Sequence, residues 1–409
     1  MDPIALADGL VLRSATEADI DAIAAMNVDA FGEQDGPDVR TFLAQPATRR
    51  TWSVVADGER VVSSIGRIDH ALHFDGLNFP AAQIEYVSTD ADYQRRGLVA
   101  AQIDWHHRWC AEAGIPVQFI GGIPYFYRRF GYGYGLSPPT LFLFDKGSVS
   151  AAHDGIAGVL VRDATEGDVD ALVRLEALRR TDGLRVVRDA NTWHRMVTMC
   201  DANKWAHLLV AEAPDGPQGW ALVYDHSDEP RAYLLPSVAA TAEASTALVR
   251  VALDRAGEHL LVGFDSPGSV FGEQLRALGS PFEYGLGYYV RIPDPVAFIE
   301  LLRPILEERL GESELADASG SLEISLYTTG IAVDYEHGAV TGVRAIEGVE
   351  DPTDHDGIGV APDWFPALAL GRWGACELAR RVDDVIILRD RKLMDVLFPQ
   401  RASDVAADF

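Results

Sequence analysis

Residues 83–114 read QIEYVSTDADYQRRGLVAAQIDWHHRWCAEAG. Residues 84–89 are strand-like, and Val99, Ile103, His106 and Cys110 then recur at helical spacing until Gly114 and Pro116 end the run. Between strand and helix lies Gln94-Arg95-Arg96-Gly97-Leu98. A strand that feeds a basic, glycine-containing loop at a helix start forms an anion cradle. The first-turn N–H groups have no partner inside the helix, and the helix dipole is positive there. Gly97 lets backbone approach a phosphate, and the arginines add charge-assisted hydrogen bonds. The dinucleotide fingerprint needs three glycines and a P-loop needs Gly-Lys-Ser/Thr, and this stretch supplies neither.

Outward from this loop the chain repeats itself. Residues 10–26, LVLRSATEADIDAIAAM, and residues 158–175, GVLVRDATEGDVDALVRL, share a β-rich run, an arginine, a threonine and an apolar helical pattern. Thr16 and Thr165 precede Asp19 and Asp168 by three residues, a capping-box spacing with Asp in place of Glu. Residues 52–67 and 207–225 read as hairpins turning at Asp57-Gly58 and Asp215-Gly216. A strand and helix follow at 83–113 and 231–256, then a final strand, helix and hairpin at 117–144 and 259–292. Two tandem copies of one α/β unit are expected, joined near residues 145–158. In the second copy the cradle position reads Ala239-Ala240-Thr241-Ala242-Glu243-Ala244, with neither arginine nor glycine. After Pro293 and Pro295 the pattern changes to a helix over 296–310 bent at Pro304, a β-meander over 321–343 turning at Gly330 and at His337-Gly338, and short helices beyond Trp364.

The 409 residues suffice for two to three domains, and 48 % apolar with 24 % charged residues is a globular mix. A net charge of −27 repels nucleic acid and anionic lipid and favours cationic small molecules or basic tails. Cys110, Cys200 and Cys376 are few, odd in number and far apart, so neither a disulfide framework nor a zinc spacing is expected. With no signal-peptide pattern and no run long enough for a membrane helix, a cytoplasmic protein is the expectation. No metal is expected: His106, His107 and Cys110 lack a fourth ligand, and Asp351, Asp354 and Asp356 lack the later Glu of a calcium loop.

The cradle resembles the Q/R-x-x-G-x-G/A pyrophosphate loop of the GCN5-related N-acetyltransferases, with Val99 where that family favours a small residue. The segment GIPYFYRRFGYG at 122–133 resembles the Y-x-R-F-G-Y-G stretch of one branch, the enhanced-intracellular-survival (Eis) acetyltransferases of aminoglycosides and lysine. The resemblance covers the whole chain. It implies an α/β and α+β fold class: tandem GCN5-related N-acetyltransferase folds plus a C-terminal sterol-carrier-protein-like domain. The expected boundaries are 1–150 for the catalytic unit, 151–293 for a degenerate second unit and 294–409 for the third domain. It implies acetyl-CoA as co-substrate, a primary-amine acceptor, and a homo-oligomer, a hexamer in the family.

By motif position, the cofactor would be held at Tyr86, Val87, Thr89, Gln94, Arg95, Arg96, Gly97, Leu98 and Val99. Backbone N–H groups near Val87 and Thr89 would polarise the thioester carbonyl. The resemblance puts the general acid at Tyr127, although the neighbouring aromatics also suit a packing cluster. It puts the base at the carboxylate of Phe409, with Glu85 as the alternative. Glu33 falls where the family contacts cationic acceptors, and it equally suits a plain loop charge. A second function class stays open: a lipid or hydrophobic-ligand binding protein carrying a vestigial transferase. Acetyl-CoA binding by dialysis separates the two.

Overall fold

The computed structural model describes residues 2–144, 158–179, 182–225, 230–282 and 287–405. The expected joint at 145–158 lies almost wholly outside them.

Both repeat starts form the same local structure. Asp19 Oδ2 accepts from the Thr16 backbone N–H and hydroxyl, each at 2.7 Å, and Arg13 closes on the same carboxylate. Asp168, Thr165 and Arg162 repeat the arrangement at 2.7–2.9 Å. A reciprocal capping box satisfies donors that a helix start otherwise leaves open.

The first unit opens with β1 (Ile4–Ala5) and β2 (Val11–Ser14), followed by helices α1 (Ile20–Phe31), α2 (Asp35–Ala44) and α3 (Pro46–Arg50). Strands β3 (Ser53–Asp57), β4 (Arg60–Phe74) and β5 (Leu77–Thr89) form an antiparallel meander, and α4 (Leu98–Glu112) crosses over to β6 (Val117–Ile120), which is parallel to β5. Helix α4 buries Leu98, Gln102, Ile103, Trp105, His106 and Cys110, one stripe at 3.6-residue periodicity.

The two units exchange their last strands. β7 (Leu141–Phe144) joins the second sheet between Leu260–Phe264 and Ser280–Phe282, antiparallel to both. In return Tyr289–Arg291 pairs with β6 in the first sheet. The segment Leu184–Val187 lies antiparallel along β4, and Ser403–Asp404 runs parallel to that segment. The first sheet thus has nine strands and the second eight among the described residues.

The third unit carries a five-stranded sheet in the order Ala339–Glu347, Thr329–Glu336, Ser319–Ser325, Ile358–Val360, Val385–Ile387. The expected helix at 296–310 is two helices, Pro295–Leu301 and Arg303–Gly311, broken at Leu302 ahead of Pro304. Gly330 lies inside a strand rather than at a turn; the chain reverses just before it, where Tyr327 takes φ +66°. The unit's core is continuous with the first sheet: Leu72, Phe74, Phe79 and Phe119 share one apolar cluster with Phe298, Leu322, Ile331, Phe365 and Leu393. Gly133 permits the docking, since a Cβ there would stand 1.6 Å from the Asp363 carbonyl oxygen.

Candidate functional site

The site begins where β5 and β6 part. Their parallel pairing runs from Ala81 opposite Val117 to Ile84 opposite Ile120 and stops. Beyond it the register with β4 slips: Gly66 faces Glu85, whereas Ser64 faces Ser88. Tyr86, in this bulge, takes φ +54°, a conformation L-residues adopt rarely. A bulge beside a split in a sheet frees backbone polar groups and re-aims side chains. Tyr86 accordingly turns its ring onto Trp52, with centroids 5.4 Å apart, and edge-on to Phe42 at 6.0 Å. Thr89 Oγ1 lies 2.7 Å from Ser63 Oγ, and Val87 is half-buried.

The cradle follows directly. Asp90 accepts from the Asp92 N–H and turns the chain, Gly97 caps α4 at φ +77°, and among the described residues no side-chain hydrogen bond caps the helix start. Gln94, Arg95 and Arg96 are exposed, Leu98 is buried, and Val99 is half-buried. Arg96 donates to the Asp92 carbonyl and lies over the Tyr93 ring at 4.7 Å, while Arg95 has no ion-pair partner among the described residues. The second unit differs at this point. Its helix Ala242–Ala256 is capped by Thr241, whose hydroxyl accepts from the Ala244 N–H at 3.1 Å. That cap occupies one of the N–H donors an anion would need.

Tyr127 sits in the one-turn helix Phe126–Phe130 after β6, buried edge-on against Phe126, Tyr132 and Tyr289. Burial, then the nearby Glu85 charge, pushes its phenol up to about 12, so it stays protonated at neutral pH. Its hydroxyl has no hydrogen-bond partner among the described residues. Arg128 pairs with Asp363, and the Tyr289 hydroxyl donates to the Tyr134 hydroxyl at 2.7 Å, so the other two units hold this turn in place.

Burial pushes Glu85 up to about 7 despite a hydrogen bond from Gln83 Nε2 at 2.7 Å. The negative field of Asp35 adds to the rise. A Cβ at Gly121 would lie 3.9 Å from Glu85 Oε1 and one at the adjacent Gly122 3.8 Å from the Tyr127 ring, so Glu85 and Tyr127 flank the same two glycines. Glu33 is not among them: it is exposed and lines a cleft of about 740 Å³ between α1, α2 and the helix Ala190–Ala202, which includes neither Glu85 nor Tyr127. Phe409 lies outside the described residues.

Sequence reading missed the acidic row on α2. Asp35 is pushed up to about 6 and Asp38 to about 7, both by burial. Asn203 and Tyr224, both from the second unit, hydrogen-bond Asp38. Asp35 and Asp38 are three apart on a helix, which is also the spacing of any solvated face, so nothing in the sequence marked them as buried. Among the described residues no cluster of histidine, cysteine and carboxylate side chains is arranged to hold a metal ion. No helix among them is long and apolar enough to cross a membrane.

Residues 11–135 match the model of the acetyltransferase (GNAT) domain. The match contains the bulge, the cradle and the Tyr127 turn. No curated protein sequence matches the chain. Solved structures resemble it along nearly its whole length. A conserved protein from Enterococcus faecalis V583 has a TM-score of 0.68 at 12% identity, over 98% of this chain and 100% of that one. A GCN5-related N-acetyltransferase from Kribbella flavida has 0.66 at 17%, over 98% of both chains. Eis1 from Mycobacterium abscessus has 0.62 at 15%, over 98% and 100%. At these identities the likeness is one of fold. It extends beyond the GNAT domain to the second and third units.

Proposed function

We propose that this protein is an acetyl-CoA-dependent N-acetyltransferase that transfers the acetyl group directly to a primary amine, with no acyl-enzyme formed. The observation that carries the proposal is the parting of β5 and β6 beyond Ile84, next to a helix start that no side chain among the described residues caps. The first-turn N–H groups of α4 with Gln94, Arg95, Arg96, Gly97, Leu98 and Val99 would hold the pyrophosphate of the coenzyme. Backbone at Tyr86, Val87 and Thr89 would line the thioester, where an N–H group polarises its carbonyl. Tyr127 donates its phenolic proton to the departing thiolate.

The acceptor is cationic before it reacts. Glu85 and Asp35 supply negative field at the site, Glu33 borders the neighbouring cleft, and the chain carries a net charge of −27. Aminoglycosides and lysine side chains fit this description. A carboxylate must take a proton from the ammonium, and Glu85 and the terminal carboxylate of Phe409 are the two candidates.

The division into units at 1–150, 151–293 and 294–409, a sterol-carrier-like third unit, a hexameric assembly and a cytoplasmic location belong to the same proposal. Thiol release from acetyl-CoA, measured against aminoglycosides, polyamines and lysine peptides, tests the activity. Release that depends on the amine is expected; failure of the protein to bind acetyl-CoA overturns it. Sedimentation velocity tests the assembly.

A further inference from the structure

Gln83 is fully buried on β5, and both ends of its amide are engaged. Its Nε2 donates to Glu85 Oε1 at 2.7 Å, and His70 Nε2 lies 2.8 Å from its Oε1. An amide oxygen can only accept, so the imidazole donates there through Nε2. His70, on β4, is 8 % exposed, with its ring against Phe119 at 5.6 Å. The register sets Ile68 opposite Gln83 and His70 opposite Ala81, so His70, Gln83 and Glu85 form a diagonal row on one face of the sheet. The same face continues from Ala81 and Leu72 into the apolar core shared with the third unit. Apolar side chains at 70 and 83 would simply extend that core. A buried polar chain is costly unless each member is satisfied, and this one is satisfied up to the carboxylate at the edge of the site.

Every element around Glu85 bears on its charge. Asp35 on α2 opposes ionisation. Tyr127 faces it from the turn after β6, and Tyr86 adds its phenol and a donating backbone N–H. Tyr288 approaches from across Gly121, where a Cβ would touch both its ring and Glu85 Oε1. Gln83 is the side chain that donates to the ionised form.

We infer that Glu85 is the group that takes the proton from the acceptor ammonium, and that Gln83 and His70 are positioning residues that aim its carboxylate and set the pH at which it ionises. The inference builds on the acetyltransferase assignment above. One ammonium proton passes to Glu85 and on to water. The neutral amine attacks the thioester carbon, the C–N bond forms and the C–S bond breaks. The thiolate takes the Tyr127 proton, and the second amine proton, lost as the amide forms, restores Tyr127.

The decisive experiment needs no substrate. The full-length protein is labelled with carboxyl-13C glutamate, the Glu85 signal is assigned by its loss in Glu85→Gln, and its titration is followed by NMR. In Gln83→Met and His70→Phe the Glu85 midpoint rises by roughly half a pH unit or more, because a donor to the ionised form is lost or misaligned. In His70→Gln, whose amide N–H can stand where Nε2 stands, it returns close to wild type. In parallel, the acid limb of kcat/KM for acetyl transfer to a lysine peptide moves by the same amount, and the KM for acetyl-CoA stays constant. A Glu85 midpoint unmoved in both Gln83→Met and His70→Phe overturns the positioning role. A moved midpoint with an unmoved acid limb overturns Glu85 as the proton acceptor. A moved midpoint in a wild-type protein that releases no thiol with any amine overturns the acetyltransferase assignment instead, and leaves the positioning of Glu85 standing.

Discussion

Asn203 of the second unit donates through Nδ2 to Asp38 Oδ1 of the first at 2.8 Å. The same amide nitrogen reaches the Gln34 carbonyl at 3.1 Å, and the Tyr224 hydroxyl donates to the other Asp38 oxygen at 3.2 Å. The unit whose helix start is capped by Thr241 therefore satisfies a buried carboxylate of the first unit. Removing one partner of a buried polar group costs more than the bond's net worth, because the other is left unsatisfied. Asn203→Ala should destabilise the protein by about 1–3 kcal/mol, measured by urea unfolding at pH 7.

The pH dependence of that cost has a definite sign. Asp38 keeps its proton up to about pH 7 in the folded protein, whereas an unfolded aspartate loses it near 4. Between those values the folded state binds more protons, so the Asp38 contribution to stability falls as pH rises from about 4 to about 7. Asp38→Asn removes that decline. The gap between the urea midpoints at pH 5 and pH 8 should narrow in the variant; an identical gap contradicts the assignment.

Tyr127→Phe deletes one hydroxyl from a packed aromatic cluster and leaves the cradle untouched. Turnover should fall by about 100-fold or more, the usual scale for a positioned proton donor, while the calorimetric affinity for acetyl-CoA stays within a factor of two. Unchanged turnover removes Tyr127 from the mechanism.

At Gly97 space and conformation separate cleanly. A Cβ there meets nothing within 4 Å, yet φ is +77°. Substitution therefore costs backbone strain alone, about 1–2 kcal/mol for most L-residues and less for asparagine. Acetyl-CoA affinity should follow the order Gly97, Gly97→Asn, Gly97→Val, with the thermal midpoint changing little.

Asp75, in the turn between β4 and β5, ties all three units together. It accepts from Arg309 at 2.5 Å, Arg401 at 2.6 Å and the Gly183 N–H at 2.6 Å. Its carboxyl is held below the usual range by Arg401, Gly183 and Arg309 against the opposing effect of burial. Its contribution to stability is present above the unfolded pKa near 4 and is lost as pH falls through the lower folded value. Asp75→Asn strands two arginines and should cost about 3–5 kcal/mol at pH 7, with a smaller difference from wild type below pH 3, followed by circular dichroism.

The sequence by itself determined what is local. A threonine three residues before an aspartate gave both capping boxes, with an arginine closing each one. The Arg-Arg-Gly turn before an amphipathic run gave the glycine-capped start of α4. These features depend on residues a few positions apart, where spacing alone fixes contact.

Only the tertiary structure decided the exchange of β7 for Tyr289–Arg291, the pairing of Asp38 with Asn203, and the row from His70 through Gln83 to Glu85. A strand's alternation shows which face is buried but not which edge it joins. Whether a carboxylate lies in water or beneath another unit depends on residues more than a hundred positions away. The repeat was written in the chain; the junctions between its copies arose from folding.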